Sequence, residues 1–369
     1  MKRFSLVLSF LVCFIPAMKA QFRLDSIFPV RGLCIEAPFP NNVDSFVVFI
    51  DKVIAPAKIN TLILRVDYRY AFESHPELRD KNALSKGDIK KIVAISKKNK
   101  IRLIPQINLL GHQSWASHTG KLLQVYPGFD ETPHVQMPEK YEWPNAEGLY
   151  CKSYCPLHPE VHKVVFSLME EICDVFEADA FHAGMDEVFY LGDEKCPRCQ
   201  GQDKAELFAG EVRKIRDHLA LKNRQLWIWG DRLLEGKISG LGMWEASYNN
   251  THKAIDLIPK DVFICDWHYE RPDKTPVIFA NKGFRVATSP WRSPAITGQQ
   301  VQDMALFKEH ATPQIRDNYA GMVQTVWSPA AAFMREAYAT GADKNLKEMS
   351  QWASFVKMIE KMEEVAAGN

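Results

Sequence analysis

The 369-residue chain has no excess of either charge: 46 Lys and Arg stand against 45 Asp and Glu. Lacking a basic surface, it has no electrostatic hold on nucleic acid or on an anionic membrane, so a small, roughly neutral partner is expected. Beyond residue 20 it lacks any uncharged apolar run of about 18 residues, which excludes a helical membrane span in the mature chain. Gly-Ser and Pro-rich linkers, internal repeats and low-complexity tracts are also missing, so residues 21–369 read as one domain. With 46% of residues hydrophobic, there is ample apolar material for one large core.

The first twenty residues are different. A basic start (Lys2, Arg3), an apolar run from Phe4 to Ile15 and then Pro16-Ala17-Met18-Lys19-Ala20 form the layout of a signal peptide cleaved near Ala20. The expectation is an exported protein, periplasmic or extracellular. Seven cysteines follow that point. Cys196-Pro-Arg-Cys199 has ligand-like spacing, and Cys151-Lys-Ser-Tyr-Cys155 offers a second pair. A four-thiolate zinc site is one reading of these pairs, and loop-stapling disulfides, which export permits, are the favoured one. Cys34, Cys173 and Cys265 sit in apolar segments as ordinary core residues.

Short apolar segments alternate with amphipathic ones along the rest of the chain. Strands are predicted at 32–35, 61–66, 101–107, 180–184, 226–229, 262–265, 285–288 and 321–326. Helical spacing recurs between them at 44–54, 86–98, 160–176, 204–221 and 300–310. Eight such alternations imply an α/β fold, a single (β/α)8 barrel. Residues 111–159 form a long loop after the third strand, and Trp115, Tyr126, Phe129, Tyr141 and Trp143 favour an ordered wall over the barrel mouth.

The fourth strand ends in Asp186-Glu187, at the rim where such barrels carry their chemistry. Period-two geometry puts His182, Gly184 and Asp186 on one face, so the two acids can differ in role only if the chain turns after Asp186. One carboxylate could then stay ionised while a drier setting makes the other a general acid. A metal site using His182, Asp186 and Glu187 lacks a second histidine at useful spacing. Other strand ends supply Trp229, Trp267-His268-Tyr269, Trp291 and Trp327. Flat aromatic faces among a few polar groups suit a sugar ring.

Phe181-His182-Ala183-Gly184-Met185-Asp186-Glu187 resembles the His-x-Gly-x-Asp-Glu signature of glycoside hydrolase family 20, the β-N-acetylhexosaminidases. Arg31-Gly32-Leu33, the segment from Pro105 to Gly111-His112, and Val323 to Trp327 are similar to that family's first, third and last strands. Residues 186–192, and the absence of an accessory domain ahead of the barrel, resemble the single-domain hexosaminidase D branch. The resemblance implies Glu187 as acid and base, and Asp186 as the group that steers the substrate's own 2-acetamido group onto the anomeric carbon. It implies a wall of Trp229, Trp267 and Trp327 around that group, Arg31 on outer hydroxyls, and His112 and His182 behind the acids. It implies no cofactor, and as partner a carbohydrate with a terminal N-acetylhexosamine.

The chain departs from the family pattern in three places. It has Gln106 where Glu is frequent, Ser328-Pro329 after the last Trp where an acid is frequent, and Ser289-Pro290-Trp291 in place of a seventh-strand Tyr. Tyr269 and Tyr68 are the candidates to replace that lost donor. Two rivals remain: a non-catalytic glycan-binding barrel, and a metal-dependent hydrolase built on His182, Asp186 and the cysteine pairs.

Overall fold

A computed structural model describes residues 21–140, 151–340 and 349–368. The leader-like segment, Tyr141 and Trp143 fall outside them. Eight parallel strands close into a barrel: β1 (Val30–Glu36), β2 (Thr61–Arg65), β3 (Arg102–Leu109), β4 (Ala180–Gly184), β5 (Gln225–Trp229), β6 (Phe263–Trp267), β7 (Val286–Ser289) and β8 (Tyr319–Thr325). Each pairs with its sequence neighbours, and β8 closes on β1 with Val30 opposite Gly321. Every strand lies within about two residues of its expected span.

Alternation along the strands sorts two cores. Cys34, Ile63, Ile104, Trp227, Trp229, Phe263, Cys265, Trp267 and Val323 point into the barrel, while Leu33, Ile35, Leu226, Ile228 and Ile264 pack outward against the helices. The inner core is aromatic, with Trp227 stacked on Phe263 at 3.7 Å between centroids. Such a pair contributes about 0.5–1.5 kcal/mol beyond the area it buries.

Helices α1 (Val43–Phe49), α2 (Lys86–Lys98), α3 (Val161–Phe176), α4 (Lys204–Ala220), α5 (Pro276–Asn281), α6 (Pro294–His310), α7 (Ala330–Thr340) and α8 (Gln351–Ala367) surround the sheet. Local chemistry sets their ends: Ser85 and Asp88 close a capping box on α2, and Asp203 caps α4. The helix expected at 300–310 begins earlier, because Ser293 caps it and Pro294 occupies its first turn. Among the described residues no helix is long and apolar enough to cross a membrane.

The long loop after β3 is ordered where it is described. It carries a hairpin of Ser114–Trp115 and His118–Thr119, a short helix at Lys121–Val125, and Tyr126 stacked on Phe129 at 5.0 Å.

Candidate active site

The ends of β3 and β4 meet at an irregular joint. Their pairing slips between Gln106 opposite His182 and Leu109 opposite Gly184. Beyond it the chain enters left-handed backbone at Gly184 (φ 67°), Met185 (φ 66°) and Glu187 (φ 50°), and across the joint at Leu110 (φ 61°) and His112 (φ 54°). Each non-glycine residue so placed costs about 1–2 kcal/mol, and strain of this kind collects at functional sites. The turn therefore starts at Gly184, two residues before the position expected from the sequence, and Asp186 owes its direction to the turn rather than to strand alternation. A side chain at 184 would put its Cβ 2.3 Å from Asn108 Oδ1, and one at 111 would lie 2.7 Å from the Asp186 carbonyl oxygen. Both glycines are there because the two strand ends touch.

His112 occupies the space that this contact creates. Its Nε2 is 3.0 Å from Asp186 Oδ2 and 3.5 Å from Glu187 Oε2, while its backbone N–H donates to Cys151 Sγ at 3.1 Å. Burial disfavours a charged imidazole, but Asp186, with Cys151 alongside, outweighs it and raises the His112 pKa well above the ordinary value. Burial likewise disfavours the Asp186 carboxylate, and the adjoining His112 overcomes this and holds its pKa below the usual range. The two form a charged pair. Asp186 Oδ1 is buried and has no hydrogen-bond partner among the described residues.

Glu187 is held by its backbone. Its N–H donates to Asp231 Oδ2 at 2.9 Å. Asp231, just past β5, also accepts from Arg232 Nε at 2.6 Å and from Trp267 Nε1 at 3.3 Å. Arg232 in turn donates to the carbonyls of Met243, Trp244 and Ala246. Burial, with Asp186 nearby and Arg232 opposing, keeps the Asp231 pKa above the ordinary carboxylate value. Sequence reasoning gave Asp231 no role. Its signal was present in Trp229-Gly230-Asp231, an acid directly after a strand end.

The other side of the mouth is aromatic. Trp229 is fully buried, 4.6 Å from the His182 ring and 5.9 Å from Trp327. Trp267 lies 4.9 Å from Tyr269, which lies 5.3 Å from Trp291. Trp327 Nε1 donates to the Tyr269 hydroxyl oxygen at 2.9 Å. From α8, Gln351 Oε1 accepts from Trp291 Nε1 at 3.0 Å and from the Trp327 N–H at 2.6 Å. This tether was invisible in the sequence, being about sixty residues from Trp291. The Tyr68 hydroxyl donates to Gln113 Oε1 at 3.5 Å, which leaves Tyr269 as the tyrosine among the tryptophans.

His182 lies inside the barrel, where burial pushes its pKa down to about 3. Its Nδ1 accepts from the Gly184 N–H at 3.1 Å, so the neutral ring carries its proton on Nε2. That Nε2 and Trp229 Nε1 are buried with no hydrogen-bond partner among the described residues.

Three sequence expectations change here. Arg31 is the second residue of β1, and it bonds the Lys58 and Phe28 carbonyls and Asp25 at the strand's start, the opposite end of the barrel from the acids. The rim end of β1 and β2 carries Glu36, Arg65 and Arg69 instead, with Arg69 paired to Glu36 at 2.7 Å and Arg65 4.5 Å over the Trp327 ring. The cysteines also regroup. Among the described residues none is in a disulfide, Cys151 joins His112, and Cys155 joins Cys196 and Cys199. Lastly, the ligand set of His182, Asp186 and the cysteine pairs is not assembled. The groups near enough to share an ion are Glu131 with Cys155, Cys196 and Cys199; His112 with Cys151 and Glu187; and Glu245 with His268 and Asp273.

Chemically, the site offers one buried ionised carboxylate with a vacant acceptor oxygen, a second carboxylate beside it on a strained turn, and an aromatic wall opposite. Residues 28–296 match the glycosyl hydrolase family 20 catalytic domain. The chain is 33% identical over 116 residues to a beta-hexosaminidase of Akkermansia muciniphila, covering 31% of this chain and 22% of that protein. It is 23% identical over 192 residues to hexosaminidase D of Bos taurus, covering 49% of this chain and 50% of that one. Its fold superimposes on a chitobiase of Flavobacterium johnsoniae with a TM-score of 0.62 at 16% identity, over 92% of this chain and 51% of the other. The chain thus aligns with half or less of each curated relative's length. The catalytic-domain match extends over well more than half of the chain and includes every strand from β1 to β7, and the chain belongs to glycosyl hydrolase family 20.

Proposed function

We propose that this chain is an exported β-N-acetylhexosaminidase that removes terminal β-linked N-acetylglucosamine or N-acetylgalactosamine with retention, using the substrate's acetamido group as nucleophile. The observation that carries this reading is the division of labour within Asp186. One oxygen is engaged by His112, which keeps the carboxylate ionised, and the other is a buried acceptor with no donor. A buried anionic oxygen without a donor is costly, and an acetamido N–H supplies one.

Glu187 donates its proton to the glycosidic oxygen as the C1–O bond breaks and the acetamido carbonyl oxygen bonds to C1. An oxazolinium ion forms, its ring nitrogen still hydrogen-bonded to Asp186. Glu187, now a carboxylate, takes a proton from water as that water adds to C1, and ring opening restores the acetamide. Two inversions at C1 give retention, and neighbouring carboxylates suffice because the enzyme supplies no nucleophile; this family is a recognised exception to the two-carboxylate scheme.

The wall of Trp229, Trp267 and Trp327 surrounds the acetamide methyl. Tyr269 already accepts from Trp327, so its own O–H is the donor for the acetamide oxygen. Glu36, Arg65 and Arg69 meet the outer hydroxyls, in place of Arg31 and of the acid absent at Pro329. Export rests on the basic start and apolar run of the first fifteen residues.

The test is turnover of matched aryl N-acetylglucosaminide and N-acetylgalactosaminide, with and without a chelator. Release of aryl alcohol from at least one, insensitive to chelator, supports the reading. Sugar binding without release identifies a non-catalytic barrel, and loss of activity with chelator in a chain whose circular dichroism and urea midpoint are unchanged identifies a metal-dependent reaction.

A further inference from the structure

Away from the barrel mouth, the wall loop and the segment after β4 meet at a cluster that the hydrolytic site does not use. Glu131, Cys155, Cys196 and Cys199 are all buried, and one ligand atom from each lies within 4.8 Å of the others. The Cys155 sulfur is 3.4 Å from that of Cys199 and 3.7 Å from that of Cys196. Thiolates at about 2.3 Å from a shared tetrahedral zinc stand about 3.8 Å apart, so these separations need only small adjustment. Glu131 Oε1 accepts from the Asp193 N–H at 3.0 Å, and Oε2 is buried with no hydrogen-bond partner among the described residues.

The backbone presents these groups from two directions. An antiparallel bridge between Asp130 and Tyr154 sets Glu131 and Cys155 diagonally across from each other on one face, with Cys155 N–H donating to the Phe129 carbonyl at 2.7 Å and Glu131 N–H to that of Ser153 at 3.1 Å. Opposite them, Cys196-Pro-Arg-Cys199 is wound in turns, with Cys196 N–H on the Asp193 carbonyl and Gln200 N–H on that of Cys196, each at 3.0 Å. Three sulfurs do not fit a disulfide staple. A disulfide would consume two and leave the third beside an unpartnered carboxylate oxygen.

We propose that Cys155, Cys196, Cys199 and Glu131 Oε2 bind one structural zinc ion in a closed tetrahedral site. Three soft thiolates and one carboxylate on a tetrahedral frame select zinc over magnesium or calcium. On binding, each cysteine gives its thiol proton to solvent and no electron is transferred. All four positions are filled by protein, so the ion does no catalysis. It ties the wall loop to the segment running from the acid pair, and thereby holds one side of the mouth.

The full chain, purified under reductant, exposed to zinc sulfate and desalted, is expected to retain one zinc per chain by elemental analysis. Cys155→Ser, Cys196→Ser and Cys199→Ser should each lose it, while Cys151→Ser and Cys173→Ser keep it. Because a cluster variant can fail to fold, cobalt exchange on the unaltered chain gives a second reading: thiolate-to-cobalt charge-transfer absorption of three-sulfur intensity, with tetrahedral d–d bands. Glu131→Gln should keep the charge-transfer absorption and weaken metal retention. A chain that holds no metal, that shows a disulfide by the loss of two titratable thiols, or that keeps its zinc in the three cluster variants would overturn the proposal. All of these readouts are independent of glycoside turnover.

Discussion

The two halves of the barrel mouth are built by different means. On the β3–β4 side the groups are charged, and left-handed turns and an ion pair aim them: Met185, Glu187, Leu110 and His112 all leave ordinary backbone within one small region. On the β5–β8 side the groups are aromatic, carried on or just past the strand ends, and ring and backbone N–H bonds fix them, from Trp267 on Asp231 to Trp327 on Tyr269 and Gln351. The acid half is strained and pays for selectivity in protonation; the aromatic half is relaxed and supplies shape. Catalysis should therefore fail abruptly when the first half is altered, and substrate fit should decline gradually when the second is.

The largest effect belongs to the acid half. Glu187→Gln keeps the turn and removes the proton, and should lower kcat on an unactivated glycoside by about 10²- to 10⁴-fold, the usual range for a general acid. A wild-type rate would remove Glu187 from the mechanism. In the aromatic half, Tyr269→Phe should cost on the order of tenfold in kcat/KM, one hydrogen bond's worth, while Trp327 keeps its place through Gln351. A loss as large as that of Glu187→Gln would mean that the halves do not divide as described.

The smallest effect is in stability, and its sign is set by the His112–Asp186 pair. His112 has a raised folded-state pKa, so its stabilisation is complete below about pH 6.5, its unfolded value, and is lost as pH rises through the folded one. Asp186 is depressed, so its share is present above about pH 3.9 and is lost as pH falls through the folded value. Urea midpoints of the unaltered chain and His112→Asn should therefore differ most between about pH 4 and 6.5 and converge in alkali. A gap that widens with pH would contradict the charged pair.

The same contrast explains what the sequence disclosed. Strand spans were legible, because short apolar runs such as Leu226-Trp227-Ile228-Trp229 are written directly in the residues, whereas Trp229 and Trp267, read as rim groups, also belong to the inner core. The turn at Gly184 was misplaced by two residues, since neither Met185 nor Glu187 advertises a left-handed conformation. Arg31, which opens the first strand, was given outer hydroxyls by resemblance alone, because motif likeness gives no depth along a strand of seven residues. The cysteines regrouped because spacing fixes Cys196 with Cys199 but says nothing of which distant thiol joins them. Gln351 was missed because its partners lie far away in the sequence, and Asp231, visible as an acid after a strand end, was given no role because nothing local shows that it takes the Glu187 N–H.

The most direct measurement of the central claim is the rate of the unaltered chain on aryl glycosides whose 2-acetamido group carries zero, one, two or three fluorines. If the acetamido oxygen is the nucleophile steered by Asp186, kcat/KM should fall steeply and steadily as fluorine withdraws electron density from that oxygen. A series of equal rates would show that the oxygen does not attack, and would contradict the account.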